Sequence, residues 1–397
     1  MKKYVKILMF CGLLFFSCKT EIEHGKTHID DLPDFTIEEY IPSFEHPGIL
    51  HNKKSIDRMR EIVKNANSDD PAYKTYLLLK EDPLAKSDYE MKGPLKEIMR
   101  GADGGTMKIH EPDFQAAFLN ALMWIVTQNE SHAEKAKEIL VKWAETLERI
   151  PEHNDAPLLV GFHGFHLAFA LEMLSHTYNM SYEDIDKVNT MLRDIFLPYM
   201  EDFYVTPAFS NGNWGLAVTI GYMSFAILWN DSEMYKKAIN FVLRGNDNGS
   251  FPNYIDEETG QCQESGRDQS HTQLGLGMAG GICEIAYKQG NDLYSVYNNL
   301  VMKGYEYTAK YNLGYDDIPF KTWTDITGKY SNWTTISADD RGEYRSIYAL
   351  AYNHYVLRRG LSMPYTQEML KKHNWLGKYN GDGLDYDVFQ FNDVDLN

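Results

Sequence analysis

Apolar residues recur at intervals of three and four positions along most of the chain that follows Pro47. This spacing places them on one face of a helix, so the pattern predicts a succession of helices. No stretch alternates valines and threonines as a sheet would require, and at most short strands are expected between residues 245 and 262. The fold class is therefore predicted to be all-α. The predicted helices span residues 55–65, 71–80, 113–128, 132–149, 157–178, 182–204, 214–229, 233–244, 265–289, 292–310, 341–359 and 365–372.

The predicted helices differ in how their apolar residues are distributed. Residues 132–149 and 233–244 are apolar on one face, whereas residues 214–229 (WGLAVTIGYMSFAILW) are apolar nearly all round. A helix of the second kind must be buried on every side, and it is shorter than the ~20 residues that a bilayer requires. Inner apolar helices paired with outer amphipathic helices indicate a ring of hairpins, an α/α toroid or incomplete α/α barrel, formed as a single domain by residues 47–397. A helical-repeat solenoid is the alternative, although no fixed repeat period is present.

The N-terminal residues have the order of a secretory signal. Three lysines among the first six residues precede the apolar run 7–16, which ends at Ser17 and Cys18. We expect residues 1–17 to be a lipoprotein signal peptide, with lipidation of Cys18 and a lipid anchor in the outer membrane, on its periplasmic or cell-surface side. Residues 18–46 are rich in Asp, Glu, Thr and Pro, and we interpret them as an acidic tether.

The net charge limits the classes of molecule that the protein is expected to bind. The 397 residues carry a net charge of −18 and contain no basic stripe, which argues against a nucleic-acid partner. An anionic substrate would require positive charge concentrated locally against this field.

Of the four cysteines, Cys262 and Cys283 remain once Cys11 is removed and Cys18 is lipidated. Because Cys283 lies deep in a predicted helix and Cys262 precedes it, we expect free thiols.

The most informative stretch is residues 261–277 (QCQESGRDQSHTQLGLG). Ser265 followed by Asp268 resembles a helix cap with an acidic third position, so a helix is expected to begin near Gly266. Arg267 and His271 would then lie one turn apart at the mouth of a core-facing stripe. A guanidinium and an imidazole at a helix N-terminus form a place where a carboxylate would bind. The alternative is that both side chains pair with Asp268 and Glu264 in a structural network.

A second polar helix start precedes the most apolar predicted helix, at residues 210–215 (SNGNWG). The amide of Asn213 can both donate and accept hydrogen bonds, and Trp214 offers a flat surface on which a sugar ring could stack. The alternative is that Asn211 or Asn213 caps the helix. In a toroid the cleft lies at one end of the inner helices, so we expect the two polar starts to face one cleft.

Residues 210–215, followed by residues 264–271 (ESGRDQSH), resemble the alginate lyase family of polysaccharide lyases, and the likeness covers roughly residues 90–360. The resemblance implies an α/α toroid that cleaves a uronic-acid polymer by β-elimination, with an acidic polysaccharide as partner and neither cofactor nor catalytic metal. The sequence departs from the family motif Asn-Asn-His-x-x-Trp, because Asn213 and Trp214 are present but no His lies in that loop. No Tyr closely follows Arg267, and His271 is found instead.

The resemblance and the chemistry of elimination suggest roles for four residues. Removing the C5 proton of a uronate requires neutralisation of its carboxylate, for which Asn213 and Arg267 are the candidates. His271 is the candidate base, since neutral imidazole is available near pH 7. Tyr330, in an aromatic and polar loop, is the candidate for the leaving oxygen at C4; its alternative is a loop aromatic that covers the core. Substrate-binding roles are predicted for Trp214, Asn211, Glu264, His163, His166, Arg341 and Arg345.

Some of these predictions have structural alternatives. Arg341 and Arg345 lie on one face of a predicted late helix and could pair with neighbouring acidic residues instead. His163 and His166 are one turn apart, but a metal site would require further ligands, so we expect this pair to pack in the core or to bind a sugar. Two other functions remain open: a glycoside hydrolase that uses Glu264 and an aspartate in the same stretch, and a noncatalytic glycan-binding lipoprotein. The sequence does not distinguish mannuronate, guluronate and glucuronate polymers, or endo from exo action.

Overall fold

The computed structural model describes residues 43–101 and 105–392. The predicted signal peptide, Cys18 and residues 18–42 of the predicted tether lie outside the described residues. The last residues of that tether belong to the folded domain, because the backbone N–H of Glu45 donates to Gln289 at 2.8 Å and Nδ1 of His46 lies 2.9 Å from Glu172.

Polar residues that cap helix starts mark many of the observed boundaries. Ser181 accepts a hydrogen bond from the backbone N–H of Asp184, and Asp231 accepts from those of Glu233 and Met234. The helices are α1 Lys53–Asn65, α2 Pro71–Glu81, α3 Met107–Thr127, α4 Glu130–Thr146, α5 Ala156–Thr177, α6 Tyr182–Met191, α7 Leu197–Val205, α8 Gly212–Leu228, α9 Ser232–Arg244, α10 Phe251–Tyr254, α11 Gln269–Lys288, α12 Val296–Leu313, α13 Tyr348–Tyr352, α14 Pro364–Lys372 and α15 Asp387–Gln390.

The helices form two concentric layers, as predicted. The inner series α3, α5, α8 and α11 packs side by side, and α4, α9 and α12 pack outside α3, α8 and α11 respectively. α13 contacts α11 and α15, while α15 contacts α1 and α2, and α1 contacts α3, so the series returns on itself. The inner helices therefore run parallel, with their N-terminal ends on one side of the ring. The predicted all-α toroid of hairpins is confirmed.

The inner helices α5 and α8 pack with their backbones nearly in contact. A Cβ added to Gly161 would lie 2.6 Å from the backbone of Ala217, and one added to Gly221 would lie 2.7 Å from the carbonyl of Gly161. Only glycine permits that approach. α5 is also long and apolar enough to cross a membrane, but 94% of its apolar window is buried inside the ring. Its composition is accounted for by this core position.

Several predicted boundaries were wrong. The predicted helix 265–289 begins at Gln269, with Asp268 rather than Ser265 as its cap. The predicted helix 341–359 begins at Tyr348 and ends in a π-helical turn, Asn353–Arg358. A second π-helical turn, Leu192–Phe196, joins α6 to α7. Within the described ranges no strand forms, and residues 245–262 contribute only an isolated bridge between Ile255 and Cys262.

The two cysteines within the described residues and the glycines of α11 are buried. Cys262 and Cys283 are buried free thiols, as expected. Side chains fill the space beside two glycines of α11. A Cβ on Gly277 would lie 2.8 Å from Ile347, and one on Gly281 would lie 2.7 Å from Ile220.

Candidate active site

A cleft of about 260 Å³ opens at the end of the ring where the inner helices begin. α3 contributes Glu111 and Gln115, α5 contributes His163, and α11 contributes Ser270 and His271. Loops outside these helices complete the walls. These loop residues are Arg100, Arg345, Asn380, Gly381 and Asp382.

Asp268 holds His271 in one orientation. One carboxylate oxygen of Asp268 accepts the backbone N–H of His271 at 2.7 Å, and the other lies 2.7 Å from the ring Nδ1 of His271. Arg267, which can only donate, reaches Nε2 of His271 at 3.0 Å. We therefore assign the proton of the neutral ring to Nδ1 and the lone pair to Nε2. Burial alone would raise the pKa of Asp268, but the hydrogen bonds from His271, together with the charge of Arg267, outweigh it and lower the pKa, so Asp268 is ionised.

Glu264 joins the two polar helix starts. Its fully buried carboxylate accepts a hydrogen bond from Nη1 of Arg267 at 2.8 Å and another from the backbone N–H of Asn213 at 3.1 Å. Burial raises the pKa of Glu264 to about 7, although Arg267 opposes the shift. Glu264 therefore links the start of α8 to the start of α11, some fifty residues apart in sequence, but Asn213 and Trp214 do not line the cleft that both starts were expected to face.

The side chains at the start of α8 are more buried than expected. Asn211 occupies the cap position but does not cap the helix, since its oxygen accepts a hydrogen bond from Gln263 at 3.0 Å. Asn213 is 1% exposed, and its side-chain oxygen has no hydrogen-bond partner among the described residues. Trp214 is half-buried against Phe209 and lies outside the lining of the cleft. The predicted roles of these three residues toward a substrate stay predictions.

The loop that carries Tyr330 docks against the residues before α8. Asn248 donates to Asp325 at 2.9 Å and to the carbonyl of Ser210 at 2.8 Å, and Asp325 accepts the backbone N–H of Tyr330 at 2.9 Å. The hydroxyl of Tyr330 lies 3.4 Å from the carbonyl of Phe209. Burial raises the pKa of Tyr330, and Asp325 adds to the shift while Arg267 opposes it. These contacts hold Tyr330 beside the residues that precede α8, outside the lining of the cleft.

The two predicted subsite arginines occupy different environments. Arg341 pairs with Asp316 at 2.8 Å and covers the ring of Tyr311 at 4.0 Å, so its guanidinium is engaged outside the cleft lining. Arg345 lines the cleft and donates to Asp382 at 2.9 Å. Both residues precede α13 instead of lying on it, which corrects the prediction that they share a helix face.

The predicted histidine pair is also divided. His163 lines the cleft, whereas His166, one turn further into α5, is 1% exposed and packs against Gly383. The prediction that His166 binds substrate is not supported by this position, because the ring lies beneath the cleft surface. The rings of His163 and His166 remain in contact, with centroids 5.7 Å apart, and His163 also contacts His110 and Glu111 on α3.

Sequence reasoning missed the wall formed by Arg100, Glu111 and Asp382. Arg100 lies 3.6 Å from Glu111, which lies 3.6 Å from Nε2 of His163. Glu111, a charged residue just before Pro112 near the start of α3, was the only local sequence feature that could have indicated this wall. Many surface helices share that feature. The contact arises from the packing of α3 on α5.

The alternative of a structural network is present in the geometry, since Arg267 and His271 do pair with Glu264 and Asp268. Both side chains nevertheless reach solvent, with 29% of Arg267 and 38% of His271 exposed. His271 lines the cleft, and Arg267 is hydrogen-bonded to His271 beside that lining. The arrangement can therefore bind an anion and accept a proton at neighbouring atoms.

Comparison with known proteins gives a consistent result. The model of the family described as Alginate lyase matches residues 64–317. Alginate lyase A1-III from Sphingomonas species A1 has a similar structure, with a TM-score of 0.56 and 13% identity over 78% of this chain and 88% of that one. A Tyr-to-Phe variant of alginate lyase A1-III complexed with tetrasaccharide has a TM-score of 0.60 and 13% identity over 85% and 94% of the two chains. No curated protein matches the sequence. At such identity the structural likenesses concern the fold alone.

Proposed function

Because this chain belongs to the alginate lyase family, we propose that the cleft at the start of α3, α5 and α11 is where it cleaves alginate or a related polyuronate by β-elimination. The enzyme is a polysaccharide lyase. The observation that carries the assignment of the site is the hydrogen bond from Arg267 to His271, which lines the cleft, while Glu264 and Asp268 hold these two side chains in place. An anion-binding donor and a neutral base thus lie side by side.

The first step is binding of the uronate carboxylate. Arg267 offers donors that suit a carboxylate, and hydrogen bonding to it disperses the negative charge that otherwise keeps the C5 proton weakly acidic. In the free protein one of those donors is bound to Nε2 of His271 at 3.0 Å. A carboxylate competes for that donor and so releases the lone pair of His271. Binding and activation of the base are therefore coupled.

The second step is the elimination itself. Nε2 of His271 takes the C5 proton, the electron pair of that bond forms the C4=C5 double bond, and the glycosidic oxygen leaves C4. The imidazolium that results is stabilised by the carboxylate of Asp268 at 2.7 Å. The leaving oxygen requires a proton, and we assign its donation to Tyr330, whose raised pKa keeps the hydroxyl protonated at neutral pH. The backbone N–H of Asn213 holds Glu264 and, through it, Arg267.

A substrate panel tests the proposal. The purified protein is incubated with alginate, polyglucuronate and a glycosaminoglycan, and the expected result is growing ultraviolet absorbance from the new C4=C5 bond with at least one polymer. Reducing ends are measured in parallel. Reducing ends without unsaturation would indicate a hydrolase, and binding without products would indicate a glycan-binding protein; either result would contradict the proposal.

The hydrolase alternative has little support from the geometry. It depended on Glu264 and Asp268, but the carboxyl of Glu264 is fully buried and Asp268 accepts both of its hydrogen bonds from His271. Neither group is free to act on a sugar as a general acid or a nucleophile.

We also propose that the enzyme is exported and lipidated at Cys18, an expectation supported by the basic, apolar and small-residue order of the first eighteen residues. Cys18→Ser, expressed in a bacterium that processes lipoproteins, should move the protein from the membrane fraction to the soluble fraction. Cys262→Ser is the matched control and should leave it membrane-bound. Membrane association of the Cys18→Ser protein would contradict the anchor.

A further inference from the structure

Three metal-ligating side chains converge at the wall of the cleft opposite α11. The ligand atoms of His110, Glu111 and His163 all lie within 4.8 Å of one another, and the rings of the two histidines meet edge to face at 5.3 Å. We propose that this cluster binds a divalent transition cation of the Zn²⁺ type. Two imidazoles and one carboxylate are a ligand set that zinc accepts with further positions open.

Unmet hydrogen-bonding capacity in the cluster points to a ligand. Within the part of the chain that the structure describes, Nε2 of His110 and both ring nitrogens of His163 are buried and make no hydrogen bond, although Nε2 of His163 lies 3.6 Å from Glu111. A buried imidazole that neither donates nor accepts is costly, and a cation at this point would satisfy two such nitrogens at once. His163 is 3% exposed and His110 is fully buried, so bulk water does not supply the missing contacts.

The surroundings prepare His110 to act as a ligand. Nδ1 of His110 lies 3.0 Å from the hydroxyl of Thr106, an arrangement that directs Nε2 toward the cluster and matches the outer contacts of metal-bound histidines. Ligand atoms on one zinc ion stand about 3 to 3.5 Å apart, so small side-chain shifts close the site.

A second group of the same residue types shows what a satisfied cluster looks like. His46, Glu172 and His176 also lie within 4.8 Å of one another. There the oxygens of Glu172 accept hydrogen bonds from the backbone N–H groups of Gly48 and Ile49 and contact His46. That group holds the N-terminal segment against α5, and its buried carboxylate is already hydrogen-bonded, so it carries no metal proposal.

Arg100 is the competing cation at the proposed site, 3.6 Å from Glu111. A metal would take the carboxylate from this guanidinium. Since Glu111 and His163 line the cleft, the open positions of the cation would face the bound polyuronate; this last step rests on the proposed function. Metal binding itself does not depend on it.

Metal binding is tested on the whole chelator-treated protein by titration calorimetry with ZnCl₂ in a noncoordinating buffer. We expect one saturable site per chain in the wild type. His163→Gln and Glu111→Gln should bind at least tenfold more weakly, and Arg100→Gln should bind several-fold more tightly because the competing charge is removed. His166→Gln, a change of the same kind one turn deeper in α5, should bind as the wild type does.

Thermal unfolding with and without ZnCl₂ provides a second readout and shows whether each variant folds. Zinc should raise the unfolding temperature of the wild type and of His166→Gln but not that of His163→Gln. Absence of saturable binding by the wild type, or equal affinity in all variants, would overturn the proposal and identify the cluster as a structural one. Because neither measurement uses a polysaccharide, failure here is distinguishable from failure of the lyase assignment.

Discussion

The guanidinium of Arg267 donates a hydrogen bond to Nε2 of His271 over 3.0 Å, and the same guanidinium donates to the buried carboxyl of Glu264 over 2.8 Å. The cation and the proposed base therefore form one unit, and a change in either alters the other. This contact also explains why a base that is already hydrogen-bonded can become available, since a substrate carboxylate competes for the same donor.

Replacing Arg267 by Lys tests whether the several N–H donors of the guanidinium are needed. Lysine keeps the positive charge but cannot bind Glu264, His271 and a carboxylate together, so kcat/KM on the best polyuronate should fall by about 100-fold or more. Initial rates measured by ultraviolet absorbance check this. Arg341→Lys is the matched control, because Arg341 pairs with Asp316 outside the cleft lining, and it should stay near the wild-type rate. Equal effects at the two positions would argue against a specific role for Arg267.

Asp268 caps α11 and also accepts a hydrogen bond from Nδ1 of His271, and substitutions can separate these two functions. Asp268→Asn keeps a good helix cap but replaces the charged acceptor for Nδ1 of His271, so kcat should fall by roughly 100-fold with little change in stability. Asp268→Ala removes the cap as well and should cost about 1 kcal/mol more in the free energy of unfolding. Steady-state kinetics and urea unfolding of both variants check the prediction. An Asp268→Asn enzyme with wild-type kcat would exclude Asp268 as the residue that positions the base.

Tyr330→Phe removes the hydroxyl that we assign to protonation of the leaving oxygen. The ring should keep its stacking on Trp333, at a centroid distance of 5.9 Å, so the fold should be retained. We expect kcat to fall by about 100-fold and KM to change little, because the hydroxyl acts in the transition state. Tyr315→Phe, which removes a hydroxyl bound to Glu368 at the surface, should be silent. Full activity of Tyr330→Phe would require another acid.

Glu264 should make stability depend on pH. Burial raises its pKa from 4.5 in an ordinary setting to about 7 in the folded protein. The folded state thus binds this proton more tightly than the unfolded state, and the stabilising contribution is complete below pH 4.5 and is lost as the pH rises through 7. The expected loss is roughly 3 kcal/mol.

Glu264→Gln removes this titration while keeping a side chain of the same size. Urea unfolding of both proteins between pH 4.5 and pH 8 gives their free energies of unfolding. The value for the wild type minus that for the variant should decrease up to about pH 7 and then stay constant. Parallel pH profiles for the two proteins would show that Glu264 does not titrate in this range.

The boundary of α11 shows why local sequence was insufficient there. Ser265 and Asp268 are both good caps, and either start is compatible with the helical stripe that follows. In the folded protein the hydroxyl of Ser265 accepts a hydrogen bond from the backbone N–H of Cys262, and its carbonyl accepts one from Ser337. A loop seventy residues away therefore decides that the helix begins at Gln269. Arg267 then lies before the helix, and it still reaches His271.

The sequence by itself determined the toroid and the meeting of its two polar helix starts, because hydrophobic periodicity specifies which helices are buried and parallel inner helices bring their N-terminal ends together. Tertiary structure alone decided which side chains those ends expose. Spacing along one helix paired His163 with His166, and only the packing of α3 on α5 added His110 and Glu111 as neighbours of His163. Contacts between distant segments depend on the rotation and depth of each helix against its neighbour, and those quantities are set by the assembled core.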